Sequence, residues 1–288
     1  MKGPLLRRRR GTPSRVVGWR VAVVETPWIV ADELWRRIEP LLPPRPPRRY
    51  RYPGRKPLSD RAALSGILYV LHTGVAWDHL PRELGFGAGI TCWKRLDAWT
   101  RAGVWERLHA LLIAELCDAD AIEWRRTIVD SSRAGKKGGS ATGPSPVDRG
   151  RAGSKHHLIV DGHGTPLSWS VTGGNRNDVT QLVPLVDRVP PIGGLIDRPT
   201  LVIADRGYDY DKYRRLLNER GTETLIARRQ HPHGSGLGRW RWVVERTFAW
   251  LHAKRRLLVR YERHAHIHEA FLALGCCLIC WRRLEPLI

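Results

Sequence analysis

Two short apolar runs constrain this chain most: Thr127-Ile-Val, followed at once by Asp130, and Leu201-Val-Ile-Ala, followed at once by Asp205. Runs of that length with no polar alternation are strands buried in an α/β sheet. Residues at the C-terminal ends of such strands lie on the edge where open α/β sheets place functional groups. Taken singly, a strand-end aspartate is an ordinary turn former. The two acquire meaning together, and from whatever else reaches the same edge.

A third carboxylate comes from residues 239–258, which carry a helical apolar stripe of Val244, Thr247, Leu251 and Leu258 with Phe248 at its border. On that helix Arg241, Glu245 and His252 project within roughly 40° of one another beside the stripe. An exposed face with a Glu–Arg pair has the same pattern. Asp161 precedes Gly162 at a hairpin tip, and Asp178 with Gln181 three residues on fits a capping box, so both have structural employment. Asp130, Asp205 and Glu245 form the candidate set. Three converging carboxylates repel one another unless cations lie between them, and Mg2+ is the hard, oxygen-seeking occupant. Two such ions about 3.5–4 Å apart would clamp the attacking and leaving oxygens of an in-line phosphoryl transfer.

The chain's 288 residues carry a formal net charge of +21, supplied mostly by arginine. Such an excess points to a polyanionic partner, and arginine forks suit phosphate oxygens. A membrane partner is disfavoured, since the apolar run at 270–281 is too short to span a bilayer. A cytoplasmic, nucleic-acid-bound protein is expected. Cys277 and Cys280 form a C-x-x-C among five cysteines. With apolar flanks and no second pair, they read as packed thiols on a helix rather than a zinc or redox site.

In chain order, residues 1–27 form a basic arm expected to be disordered, and 28–120 a helical region. In that region Asp32 caps a short helix, a Pro/Arg linker spans 43–53, and Ser59 opens a helix of Leu64, Ile67, Leu68 and Leu71 closed by Gly74. A short element stopped by Gly85 leads to helices from about 91 and from 104 to 116. A helix-turn-helix presenting Lys94 and Arg95 to a major groove and a plain bundle with a charged face both fit. Residues 121–288 hold the sheet: the strand to Asp130, a long loop at 131–155 exposing Lys136 and Lys137, a hairpin over 158–171, and a Pro/Gly loop at 190–200. A helix begins at Asp211, a strand runs over 224–227, and an apolar helix over 267–284 closes the chain. Of the 13 tryptophans, one could stack on a splayed base, whereas most, such as Trp93 and Trp250, are expected in packing.

These segments resemble the DDE transposases of bacterial insertion sequences, of the insertion-sequence-five group. The resemblance rests on Ile128-Val-Asp130-Ser-Ser, Gly143-Pro-Ser-Pro-Val-Asp-Arg149, Gly153-Ser-Lys-His-His157 and Gly173-Gly-Asn-Arg-Asn-Asp-Val179. It continues in Ala204-Asp205-Arg-Gly-Tyr-Asp209, Arg241-Trp-Val-Val-Glu-Arg-Thr-Phe-Ala-Trp-Leu251 and Leu278-Ile-Cys-Trp-Arg-Arg283, with 28–42 and 85–97 matching the N-terminal region. It implies an α/β, RNase H-like catalytic domain behind an N-terminal all-helical DNA-binding region. It also implies that Asp130, Asp205 and Glu245 bind Mg2+ (or Mn2+).

Arg241 matches the Arg of the Y-R-E-K signature; Gly238 stands in place of its Tyr and His252 in place of its Lys, with Lys254 or Arg255 nearby as substitutes. The implied reaction is metal-dependent hydrolysis of the phosphodiester at a transposon end, then attack of the freed 3′-OH on target DNA. Arg241, Lys254, Arg255, Lys136 and Lys137 would neutralise phosphates. The partner is double-stranded DNA (terminal inverted repeats and target), on a homodimer or higher assembly, in the bacterial cytoplasm at the nucleoid. The alternatives are an inactive or domesticated DNA-binding relic and an RNase H-like nuclease.

Overall fold

The computed structural model describes residues 26–288 except 46, 48–49, 53, 55, 136–138, 147, 192–198 and 231–235. Most of the basic arm, Lys136, Lys137 and most of the 190–200 loop therefore lie outside the described residues.

Strand β1 (Thr127–Gly135) pairs antiparallel with β3 (Ala152–Asp161) along its whole length, Thr127 facing Asp161 and Gly135 facing Gly153. On β3's far edge lie β4 (Pro166–Gly173) and the two-residue β2 (Gly143–Pro144). On the other side of β1, β5 (Leu201–Ala204) and then β6 (Glu223–Ile226) run parallel. An antiparallel meander followed by two parallel strands is the expected RNase H-like sheet.

β1 runs further than its apolar run suggests. Asp130 is not the residue after the strand but its fourth, because β3 continues to pair with β1 past the point where β5 stops. Residues 131–135, 143–144 and 152–155 are thereby strand, where a continuous loop was expected. The hairpin holds as expected. Fully buried Asp161 accepts hydrogen bonds from the backbone N–H groups of His163, Thr165 and Glu123.

Helices α1 (Asp32–Ile38), α2 (Asp60–Thr73), α3 (Gly89–Arg101) and α4 (Val104–Asp118) form the N-terminal region. Ser59 caps α2 by accepting from the Ala62 N–H at 3.1 Å, and Gly74, at φ 75°, ends it. Ala31, not Asp32, caps α1; Asp32 pairs instead with Arg61. After the sheet's meander come α5 (Leu182–Asp187), α6 (Asp211–Asn218), α7 (Gly238–His252), α8 (Arg255–Leu258) and α9 (Ala265–Leu284).

Two helix expectations fail here. Asn177 caps the turn ahead of α5, while Asp178 pairs with Lys155 at 2.8 Å and Gln181 accepts from Ser170, so no capping box forms. A half-buried strand lysine and a buried hydroxyl outcompete the local motif. The helix expected over 239–258 breaks at Ala253 and Lys254, and Leu258 leaves the stripe for solvent.

Helix α9 is the central column. It packs against α3, α4, α7, α8 and β4, so the helical region and the sheet share one hydrophobic core. Gly275 allows the closest approach: a Cβ there would lie 2.9 Å from both Leu251 and Leu257. Cys276, Cys277 and Cys280 are buried and free, and burial raises all three thiols, as expected of packing residues. Among the described residues no helix is long and apolar enough to cross a membrane.

Beyond α8 the chain is tied down by buried cations. Arg256 donates to Glu262 at 2.7 Å and to the Val75 carbonyl; Arg260 donates to the carbonyls of Ser140, Ala141 and Glu262. Removing one partner of such a pair strands a charge in a poorly solvated place. Glu262→Ala is expected to cost about 3–5 kcal/mol, read as a lower urea midpoint at unchanged slope.

Candidate active site

The register Ile128 to Ile203, continued two residues, sets Asp130 opposite Asp205. Each carboxylate is fixed by a backbone donor: Asp130 Oδ1 accepts from the Ser131 N–H, and Asp205 Oδ1 from the Gly207 N–H, both at 2.8 Å. Asp205 thereby caps the single turn Arg206–Tyr208. The two Oδ2 atoms face one nitrogen, Arg241 Nη2, at 3.3 Å from Asp130 and 3.8 Å from Asp205.

Burial pushes the Asp130 carboxyl up to about 6, with the Asp205 charge adding to the rise; the Ser131 N–H and Arg241 oppose it. Tyr208 lies buried nearby, its hydroxyl raised by burial and by the charges of Asp130, Asp178 and Asp205.

A clamp that the sequence did not announce holds the Asp205 turn. Arg229 donates from Nε to the Arg206 carbonyl at 3.0 Å and from Nη2 to the Gly207 carbonyl at 3.3 Å. Its guanidinium lies 4.4 Å from the Tyr210 ring centroid, and its own N–H donates to Asp209. Asp209 in turn pairs with Arg214 at 2.6 Å. Arg228-Arg229 directly after a strand was the only hint, and in a chain this rich in arginine it does not stand out.

Glu245 lies one turn beyond Arg241 on α7. It is exposed and makes no hydrogen bond or ion pair with the described residues. Among the described residues no three His, Cys, Asp or Glu side chains stand close enough to share a metal. The structure thus unites two of the three expected acids, and Arg241 supplies the cation between them.

The other expected site residues divide by exposure. His252 turns inward between Phe248 and His156, ring centroids 6.0 and 6.1 Å away, and burial lowers its pKa. Lys254 is 2% exposed, donates to the Trp250 carbonyl, and is lowered to about 8 by burial. The helix break turns it into the core, so it is not presented to phosphates as expected. Arg255 is exposed, its stem lying against Gly74. Lys94 is exposed on α3, whereas Arg95 pairs with Asp60 at 3.4 Å. Trp250 is not a core residue: it and Trp242 are exposed and flank the Arg246 guanidinium at 4.7 and 4.6 Å.

Two backbone-fixed carboxylates turned toward one positive nitrogen form an all-oxygen, anionic donor set, which suits a hard divalent cation. Glu245 lies one turn from Arg241 on the same helix, with its carboxylate in solvent.

An acid pair on β1 and directly after the adjacent parallel strand β5 of an RNase H-like sheet defines a class of metal-dependent enzymes that cut and join phosphodiesters. Residues 118–281 match the family described as "Transposase DDE domain", and residues 30–109 the family described as "Putative transposase of IS4/5 family". A putative transposase of insertion sequence element IS402 from Burkholderia cepacia is 59% identical over 56% of this chain and 77% of its own length. An uncharacterised 16.2 kDa protein of the same element is 61% identical over 36% of this chain and 71% of its own. The transposase of element IS1106 from Neisseria meningitidis serogroup B is 29% identical over 40% of each. The chain belongs to the DDE transposases of the IS4/5 type. It is a DNA transposase, of a family that uses divalent metal ions for cleavage at transposon ends and strand transfer; nothing favours the nuclease or the relic.

Asp130 also makes the site a stability liability. A carboxyl whose pKa rises on folding, here from 3.8 to about 6, binds more protons in the native state between those values, so its contribution falls as pH climbs through that window. In metal-free protein, Asp130→Asn is expected to gain about 1–3 kcal/mol at pH 7. The gain should vanish below about pH 4, as followed by urea melts across pH.

Proposed function

We propose that Asp130, Asp205 and Glu245 are the residues of this transposase that hold the divalent ion, with Mg2+ the physiological species and Mn2+ a substitute. The observation that carries this reading is the facing pair of Oδ2 atoms sharing one positive nitrogen. An ion bound there supplies positive charge to phosphate oxygens and lowers the pKa of an attacking hydroxyl.

The chain's own groups supply positioning. Ser131 and Gly207 N–H groups keep the aspartates aimed, and the Arg229 clamp keeps the Asp205 turn from relaxing. Arg241 neutralises the acids in the free protein and passes to a scissile-strand phosphate once they have another cation. No Ser or Tyr nucleophile is required: water serves hydrolysis and the freed 3′-OH serves joining. Exposed Arg255 and Lys94 contact backbone phosphates, which position DNA without reading its sequence.

The substrate is double-stranded DNA: the terminal inverted repeats of the chain's own element, then a target duplex. Relatives named for insertion elements support that choice. Joining two ends calls for a dimer or higher assembly on DNA, at the nucleoid in the cytoplasm.

With terminal-repeat duplex and Mg2+, Asp205→Ala is expected to cut at least ~100-fold more slowly than the parent; equal cutting removes the assignment. Calorimetry with Mn2+ in the absence of DNA tests the role of Arg241. Arg241→Ala should bind the ion more tightly than the parent while cleaving more slowly, and weaker ion binding would show that Arg241 does not compete for the acids.

A further inference from the structure

Past Asp130, β1 runs on to a cavity of about 770 Å³ lined by Arg133, Gly135 and Gly139, by Asp148 and Arg151, and by residues 259–261 and 263. Arg133 is three residues beyond Asp130, roughly 10 Å along the strand. Four arginines line the space (Arg133, Arg151, Arg260 and Arg263) against one acid, Asp148. Asp148 pairs with Arg133 and reaches Arg151 only at 4.0 Å. Arg260 is buried and committed to carbonyls and Ser154, so it contributes its field rather than a contact. Arg151 and Arg263 are exposed, and the Arg263 side chain makes no ion pair with the described residues.

Tyr261 stands among these cations, 48% exposed. Arg256 lies 4.8 Å from its ring centroid and is itself held by buried Glu262. An aromatic ring braced on one side and open to a basic cavity is the pairing that binds unpaired nucleotides, stacking for the base and guanidinium for the phosphates. A duplex offers no free base face to such a ring. An acidic peptide would satisfy the charge and leave the ring without a partner.

We propose that this cavity receives unpaired nucleotides of a DNA strand. A base stacks on Tyr261, and flanking phosphates lie on Arg151 and Arg263 with Arg133 behind them. The assignment of that strand to the one being processed at Asp130 and Asp205 rests on the active-site reading above; the cavity's preference for single strands does not.

The test is a fluorescence titration with divalent ions chelated, so that its outcome is independent of the aspartates, which the cleavage assay alone decides. The probes are a short single-stranded oligonucleotide carrying a fluorescent adenine analogue, the same sequence as a duplex, and polyglutamate as competitor. The parent should quench the single strand and bind it more tightly than the duplex. Tyr261→Ala should lose the quench and about tenfold in single-strand affinity, while Tyr261→Phe keeps both.

Arg263→Gln, a change at an exposed side chain, should weaken binding and lower the salt slope by about one. It decides the matter should Tyr261→Ala prove unstable to urea. An unchanged quench in Tyr261→Ala, an unchanged salt slope in Arg263→Gln, or displacement of the oligonucleotide by polyglutamate at matched charge would each overturn the proposal.

Discussion

Two like charges forced together by strand register are the constraint on which this molecule turns. Parallel pairing of β1 with β5 makes Asp130 and Asp205 neighbours, and no side-chain rotation separates them far, because each is also held by a backbone N–H. Half-buried carboxylates in that position repel and are poorly solvated, which is why Asp130 is reluctant to ionise. Something positive has to stand between them. In the protein alone it is the Arg241 guanidinium, delivered by α7. A donor set of this kind suits a divalent cation for the same reason that it suits the guanidinium.

The scaffold keeps that arrangement rigid through α9. The N-terminal helices are not a loosely appended module, since α3 and α4 pack on the same column that braces α7 and α8. The helical region and the acids are therefore braced by one core. Buried arginines continue the theme: Arg256 and Arg260 tie the chain after α8 to the end of α2 and to the 140–141 backbone. Many of the described arginines are exposed, but a fraction is structural, held by carbonyls and by Glu262.

Particular residues mark how far local pattern carries. Asp130, Asp205 and Asp161 were legible because an acid after an apolar run or before a glycine has few local options, and the hairpin and α2 followed from the same short-range chemistry. The capping box at Asp178 failed because Lys155, 23 residues away in sequence, took the carboxylate. Lys254 was misplaced because α7 ends at His252 and the turn at Ala253 carries it under Trp250, whose carbonyl its amine reaches, while His252, still on the helix, finds Phe248 and His156 rather than solvent. The Arg229 clamp and the cavity around Tyr261 were invisible, being made by segments that meet only in the folded chain.

The sequence by itself determined the α/β class, the strands that carry the two aspartates, the closing apolar helix and the preference for a polyanion, since these follow from periodicity, strand ends and net charge. Tertiary structure alone decided that Asp130 sits within its strand, that Arg241 stands between the acids while Glu245 faces solvent, and which of the described arginines are exposed and which are buried against carbonyls. The physical reason is one of range. Local pattern reports which face of an element is apolar, but the partner of a charge is set by whichever distant segment packs beside it.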